Sequence, residues 1–216
     1  MNLDAVGISA FLSDYPNMSV AVITDGSTDL VLNGNFDFAA KFKNEPEVHD
    51  SYLLEIRVPD NFPTDLPSVK ELGNKIPRDG KHHVNPDETL CLGSPLRLKM
   101  LVRDDPTLSG FASNCIVPYL YWISTKKFAV GELAHGDVGI IADYMALFGL
   151  SDPKQIIPTL KLLGMKKRVA NKKPCPCGCG VRLGRCKKRF ILNQYRSIAS
   201  RRWFRDPRKP FGERSK

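Results

Sequence analysis

Residues 61–94 read NFPTDLPSVKELGNKIPRDGKHHVNPDETLCLGS. Pro63, Pro67, Gly73, Pro77, Gly80 and Pro86 punctuate the stretch before Cys91. Some thirty residues with so little regular patterning are unusual inside a compact domain, and such segments often carry function. Val69–Leu72 is the one run within it that reads as a short strand.

The flanks supply the fold class. Upstream, Leu3 to Ser13 reads as a short amphipathic helix closed by Tyr15-Pro16. Strand-like runs follow at Met18–Ile23, Asp29–Leu32, Phe36–Phe42 and Ser51–Val58, with a Thr24–Ser27 turn after the first. Asn33-Gly34 predicts a hairpin turn between the second and third runs. Tyr52, Leu54, Ile56 and Val58 alternate with Glu55 and Arg57, the pattern of a half-buried strand. Downstream, Thr107–Val130 is apolar and helical, with Pro118 bending it. Asp137–Phe148 reads as a helix with Asp137 as cap and Gly149 as stop. Pro153–Leu163 reads as another, capped by Ser151 and kinked at Pro158. A helix, an antiparallel meander and then helices make an α+β chain.

Cys91 sits in HHVNPDETLCLG, residues 82–93. An arbitrary cysteine is most often a small buried hydrophobe. This one follows a polar, turn-rich segment, and a sulfur on a loop edge is within reach of a substrate. Asn85 can donate to a developing oxyanion, and His82 or His83 can orient the loop or move protons. Asp87 and Glu88 read as solvated charges, and His49 and His135 as surface residues. Cys115, Tyr119 and Trp122 lie in an apolar run and read as packing.

Two motifs in this order resemble the ubiquitin-conjugating enzyme family over residues 1 to about 150. Phe62-Pro63-Thr64-Asp65-Leu66-Pro67 resembles its Tyr-Pro-x-x-Pro-Pro segment, and His83-Val84-Asn85 with Leu90-Cys91-Leu92 resembles its His-Pro-Asn … Ile-Cys-Leu signature. Val84 replaces the family's proline, and Asn85 stands six residues before Cys91, closer than is usual there. Asn85 and His83 are therefore competing candidates for contact with a thioester carbonyl. Gly93-Ser94-Pro95-Leu96-Arg97-Leu98 is more similar to the bacterial branch found in CBASS antiviral operons. The resemblance implies a UBC-like fold with Cys91, His83 and Asn85 at the catalytic site. It implies acyl transfer: Cys91 accepts a carboxyl group as a thioester and passes it to an amine. In that branch the donor is the C-terminal tail of a cGAS-like nucleotidyltransferase. No Gly-rich phosphate loop is present to supply ATP-dependent activation.

The other dense signal is Cys175-Pro176-Cys177-Gly178-Cys179-Gly180 followed by Cys186. Zinc takes four ligands in a tetrahedron, and thiolates suit it. The run resembles the SEC-C zinc motif at Cys175, Cys177 and Cys186. Lys187 stands where the motif's last ligand falls, and Cys179 is the candidate fourth ligand. A disulfide or a three-thiolate site is the alternative. A structural Zn2+ would staple a segment too short to build a core alone. Lys187–Phe204 reads as one basic amphipathic helix, and Asp206–Lys216 as poorly ordered.

Charge divides the chain at the same place. Residues 166–216 carry 18 Lys/Arg against 2 Asp/Glu, whereas residues 1–165 carry 14 against 21. A conjugating domain over 1–165 and a basic zinc-binding tail over 166–216 are expected. The tail suits an acidic protein partner or nucleic acid. No run is apolar enough for a membrane span or a secretory signal, and clustered rather than dispersed cysteines suit a reduced cytoplasm. Two other readings remain open: a catalytically silent binding module of the same fold, and a nucleic-acid binder acting through the tail.

Overall fold

A computed structural model describes residues 6–21, 28–42, 45–126 and 136–211. It is a mixed α/β structure that divides into two compact units. One comprises residues 1–92 and 101–132; the other comprises 93–100 and 133–216.

The first unit opens with helix α1 (Ile8–Asp14), followed by β1 (Met18–Ala21), β2 (Leu30–Ala40), β3 (Val48–Val58) and β4 (Ser68–Glu71). The strands form an antiparallel sheet in the order β1-β2-β3-β4, as the meander pattern predicts. In β3, Tyr52, Leu54, Ile56 and Val58 are buried on one face. Their partners Phe36, Gly34, Leu32 and Leu30 in β2 share that face, because directly opposed residues point the same way. Helix α3 (Leu108–Phe111), a wide turn (Ala112–Ile116) and helix α4 (Val117–Thr125) complete the core, with Phe11, Phe111, Leu120 and Tyr121 buried.

Two local expectations change. Asn33-Gly34 makes no turn: β2 runs straight through it, with Gly34 paired to Met18 on one side and Leu54 on the other. The glycine is needed for close approach. Its φ is 150°, and a Cβ there would fall 2.1 Å from the Asn17 carbonyl oxygen. The apolar run around Pro118 also does not bend as one helix. It widens by one residue, so that the Val117 amide reaches back to the Ala112 carbonyl. This places Pro118 in the first turn of α4, where a missing N–H costs nothing. The Thr24–Ser27 turn, His135 and the side chain of Asp137 lie outside the described residues.

The second unit takes in most of helix α2 (Pro95–Val102) and then α5 (Gly136–Phe148), α6 (Ile156–Leu163), α7 (Lys167–Ala170), α8 (Lys188–Ile198), α9 (Arg201–Arg205) and α10 (Arg208–Phe211). Its core joins Leu96, Tyr144, Phe148, Leu160 and Leu163 to Leu183, Leu192, Tyr195, Trp203 and Phe204. Within this unit α5 and α6 pack with the basic segment, so the packing boundary is not the charge boundary. Gly149 ends α5 with a φ of 59°, as expected. The cap before α6 is Asp152, whose carboxylate accepts from the Lys154 amide at 2.8 Å, not Ser151. Pro158 lies in the first turn of α6, where it needs no amide partner. The helix expected over 187–204 breaks at Ala199, because Ser200 caps a new helix through the Trp203 amide at 3.2 Å. Part of the segment expected to be poorly ordered forms α10, and the Tyr144 hydroxyl donates to its Pro210 carbonyl.

Gly34→Ala is expected to lower stability by more than about 2 kcal/mol, since backbone must shift to clear the Asn17 oxygen. Urea unfolding of the variant checks this.

Candidate active site and metal centre

The irregular stretch after β4 is anchored before it reaches Cys91. Glu71 is 1% exposed, and its carboxylate accepts from the Lys75 amide at 3.2 Å and the Ile76 amide at 3.3 Å. A buried carboxylate needs such donors. The Arg78 guanidinium donates to the Glu71 carbonyl at 2.8 Å, and Ile76 is buried. The chain then returns to the sheet edge, where the Leu90 amide donates to the Val69 carbonyl at 2.7 Å.

Residues 83–91 form a small hairpin. Val84 pairs with Leu90, the Asn85 amide donates to the Thr89 carbonyl at 2.8 Å, and the Cys91 amide donates to the His83 carbonyl at 2.7 Å. At the tip the Glu88 amide donates to the Asn85 carbonyl at 2.9 Å, and Glu88 itself has a φ of 68°. That is a type I turn followed by a left-handed residue, a common three-residue hairpin connection. It accounts for the short spacing from Asn85 to Cys91.

The hairpin brings His83 directly opposite Cys91. Asn85 lies toward the tip, opposite Thr89, and its side-chain amide donates to the Thr89 hydroxyl at 3.0 Å. That hydroxyl donates in turn to Asp87 at 2.6 Å, so Asp87 braces the turn. The Cys91 thiol is half-buried. The His83 ring meets the edge of Trp122 with centroids 5.1 Å apart, and Trp122 packs on Tyr119 at 5.8 Å. The Tyr119 hydroxyl donates to the His82 carbonyl at 2.7 Å. Burial pushes that hydroxyl's pKa up, with a smaller push from Cys91. His82 is held by Asp79 at 2.8 Å, and this contact keeps the Asp79 carboxyl down at about 2. Tyr119 and Trp122, three residues apart on one helical face, thus do more than fill the core. Thr89 was not singled out by its sequence context, although Ser and Thr hydroxyls commonly bind turn neighbours. His49 is exposed beside Glu47, and Cys115 is buried with its thiol pushed up to about 12.

The second cluster is built by a wider hairpin. Pro174 pairs with Arg182, the Cys175 amide donates to the Val181 carbonyl at 2.9 Å, and the Leu183 amide donates to the Lys173 carbonyl at 2.9 Å. Gly178 and Gly180, with φ of 76° and 75°, turn the chain on either side of Cys179. Cys186 lies just before α8, and its sulfur accepts from the Lys188 amide at 3.5 Å.

The four sulfurs of Cys175, Cys177, Cys179 and Cys186 lie within 4.8 Å of one another. Cys177 and Cys186 are 3.8 Å apart, the separation of about 3.8 Å that a tetrahedron with zinc–sulfur bonds of about 2.3 Å requires. Cys175 and Cys177 are 3.2 Å apart, beyond a disulfide bond of about 2.05 Å, and all four thiols are free. The Val181 amide is the main reason that the exposed Cys179 thiol is lowered to about 7. Burial pushes the Cys175 and Cys177 thiols up, so a cation is what would hold them ionised together. The four cysteines could hold a metal ion. No family model, curated protein or solved structure matches the chain.

Iodoacetamide at pH 8 is expected to label Cys91 in the folded protein and to spare Cys115, with peptide mass mapping as the readout. The purified chain is expected to carry about one metal ion, and Cys175→Ala or Cys186→Ala to carry almost none by elemental analysis. Full metal content in Cys179→Ser would remove Cys179 from the ligand set.

Proposed function

We propose that this chain is a cysteine-dependent acyl transferase of the ubiquitin-conjugating type, with Cys91 as the acyl carrier. One observation carries the reading. A half-buried thiol stands opposite His83 on a short, braced hairpin at the edge of a four-stranded antiparallel meander. The order of helix, meander, proline-rich crossing, cysteine hairpin and helix supports it, because a UBC-like fold has the same order.

The chemistry follows from the thiol. The Cys91 thiolate attacks an activated carbonyl, an acyl adenylate or a thioester made by another protein, and the activating group leaves. An amine then attacks the thioester carbonyl. The C–N bond forms, the C–S bond breaks, the thiolate returns to Cys91, and the amine's proton passes to water or a nearby base. The carbonyl oxygen carries negative charge between these steps and needs a donor. The Cys91 amide is already bonded to His83. The Asn85 side-chain amide is one donor on the hairpin, and it serves once it turns away from Thr89. His83 is the competing donor. Tyr119 and Trp122 hold the histidine side of the hairpin in place.

The donor in this proposal is the C-terminal carboxylate of a cGAS-like nucleotidyltransferase, in antiviral defence of the CBASS type and in the cytoplasm. Zn2+ at Cys175, Cys177, Cys179 and Cys186 has a structural role: all four ligands are thiolates, which leaves no open position for a substrate.

Intact mass of the chain purified with its operon neighbours tests the reading. A thiol-labile adduct is expected in the wild type, none in Cys91→Ala, and a thiol-stable one in Cys91→Lys. No adduct in the presence of every neighbour overturns it. Asn85→Ala is expected to slow amine transfer from a preformed thioester by about 100-fold without reducing thioester formation. An unaffected rate there, with the loss in His83→Ala instead, would assign the donor to His83.

A further inference from the structure

Between Asp152 and Asp206 the chain has no Asp or Glu, while it carries 16 Lys and Arg. Several of these cations have structural work. Lys188 donates to the Phe148 and Gly149 carbonyls at the end of α5. Arg196 donates to the carbonyls of Leu162, Leu163 and Met165 at 2.7, 3.0 and 2.8 Å, closing the end of α6. Others have none. Lys166, Lys167 and Arg201 make no side-chain ion pair among the described residues, yet they converge with Arg196 on one pocket.

The pocket has a volume of about 340 Å³ and is lined by Leu163, Lys166, Lys167, Arg196, Ala199 and Arg201. Leu163 and Ala199 are buried and form an apolar floor under four cationic rims. Arg196 is fixed in direction by its three carbonyl partners. Its guanidinium is pulled below its ordinary pKa by burial and by the Arg201 charge beside it. Like charges held together without a carboxylate repel, and a bound anion relieves that repulsion.

We propose that this pocket binds a chain of closely spaced phosphates, with Lys166, Lys167, Arg196 and Arg201 as its ligands. Four cations match the charge of a triphosphate better than that of a single phosphate or carboxylate. None of the lining side chains is aromatic, so the pocket offers no platform for stacking a base. None is acidic, so it offers no carboxylate to read sugar hydroxyls. Recognition therefore falls on the phosphates, whether the source is inorganic triphosphate or a nucleoside triphosphate. The site is independent of Cys91 chemistry.

Calorimetry of the full, metal-loaded chain at low salt with inorganic triphosphate and, separately, ATP tests the proposal. Saturable one-to-one binding is expected. Lys167→Glu/Arg201→Glu should weaken it at least about tenfold, and Lys172→Glu/Arg202→Glu, with the same change in net charge outside the pocket, less than about twofold. Equal affinities assign recognition to the phosphate chain alone, and tighter ATP binding names a nucleotide as the source. Absence of binding by the wild type, or equal weakening by both double variants, overturns the pocket in favour of diffuse attraction. If the glutamate pair loses its metal or its near-ultraviolet dichroism, Lys167→Ala/Arg201→Ala is expected to weaken binding in the same direction, and unchanged binding there also overturns the proposal.

Discussion

The placement of Cys91 in the first unit rests on the return of the chain to the sheet edge, where the Leu90 amide donates to the Val69 carbonyl. Some twenty residues separate the two positions, and closing a loop of that length costs entropy before any reward arrives. The closure is supported in stages. Glu71 gathers the amides just after β4, Ile76 fills the space beneath, and Leu90 is buried at the return. With the return fixed, the 83–91 hairpin can form against the sheet edge. A thiol that would otherwise sit on a wandering loop gains a defined neighbour, His83.

The cysteine cluster follows a similar principle at shorter range. Two left-handed glycines let the thiols of Cys175, Cys177 and Cys179 converge within five residues, and Pro174 pairs with Arg182 at the base of the hairpin. Cys186 joins from the start of α8, so the cluster ties the hairpin to a helix. That helix buries Leu192 and Tyr195 among the helices before residue 165, and the Tyr195 hydroxyl donates to the Leu147 carbonyl at 2.6 Å.

This changes the meaning of the basic segment. Part of its charge closes helix ends: carbonyls at the C-termini of α5 and α6 carry partial negative charge and accept from Lys188 and Arg196. Such cations stabilise the second unit and are not available as a diffuse surface for a polyanion. Around the pocket near Leu163, Lys166, Lys167 and Arg201 are without that duty, while Arg196 both closes α6 and lines the pocket. Net charge alone could not separate the two groups.

The alternation in β3, the meander order, the glycine stop at residue 149 and the four clustered cysteines were all legible in the chain, because each depends on local periodicity or on residues close in sequence. Asn33-Gly34 misled because the same dipeptide serves a turn or a close approach between strands, and only the position of Asn17 decides which. The break at Ala199 was hidden because the apolar spacing continues across it while Ser200 starts a new helix. Cys91, His83 and Asn85 could be picked as chemistry-bearing residues from their types and order. Their arrangement could not: whether Asn85 or His83 stands opposite the thiol depends on the turn at residues 85–88, and on Thr89 as an internal partner for Asn85. Likewise, where the chain divides is a matter of which apolar faces meet, a long-range outcome. By itself the sequence determined the elements and the inventory of reactive groups. The tertiary structure decided which of those groups face one another, since that depends on contacts between residues far apart in the chain.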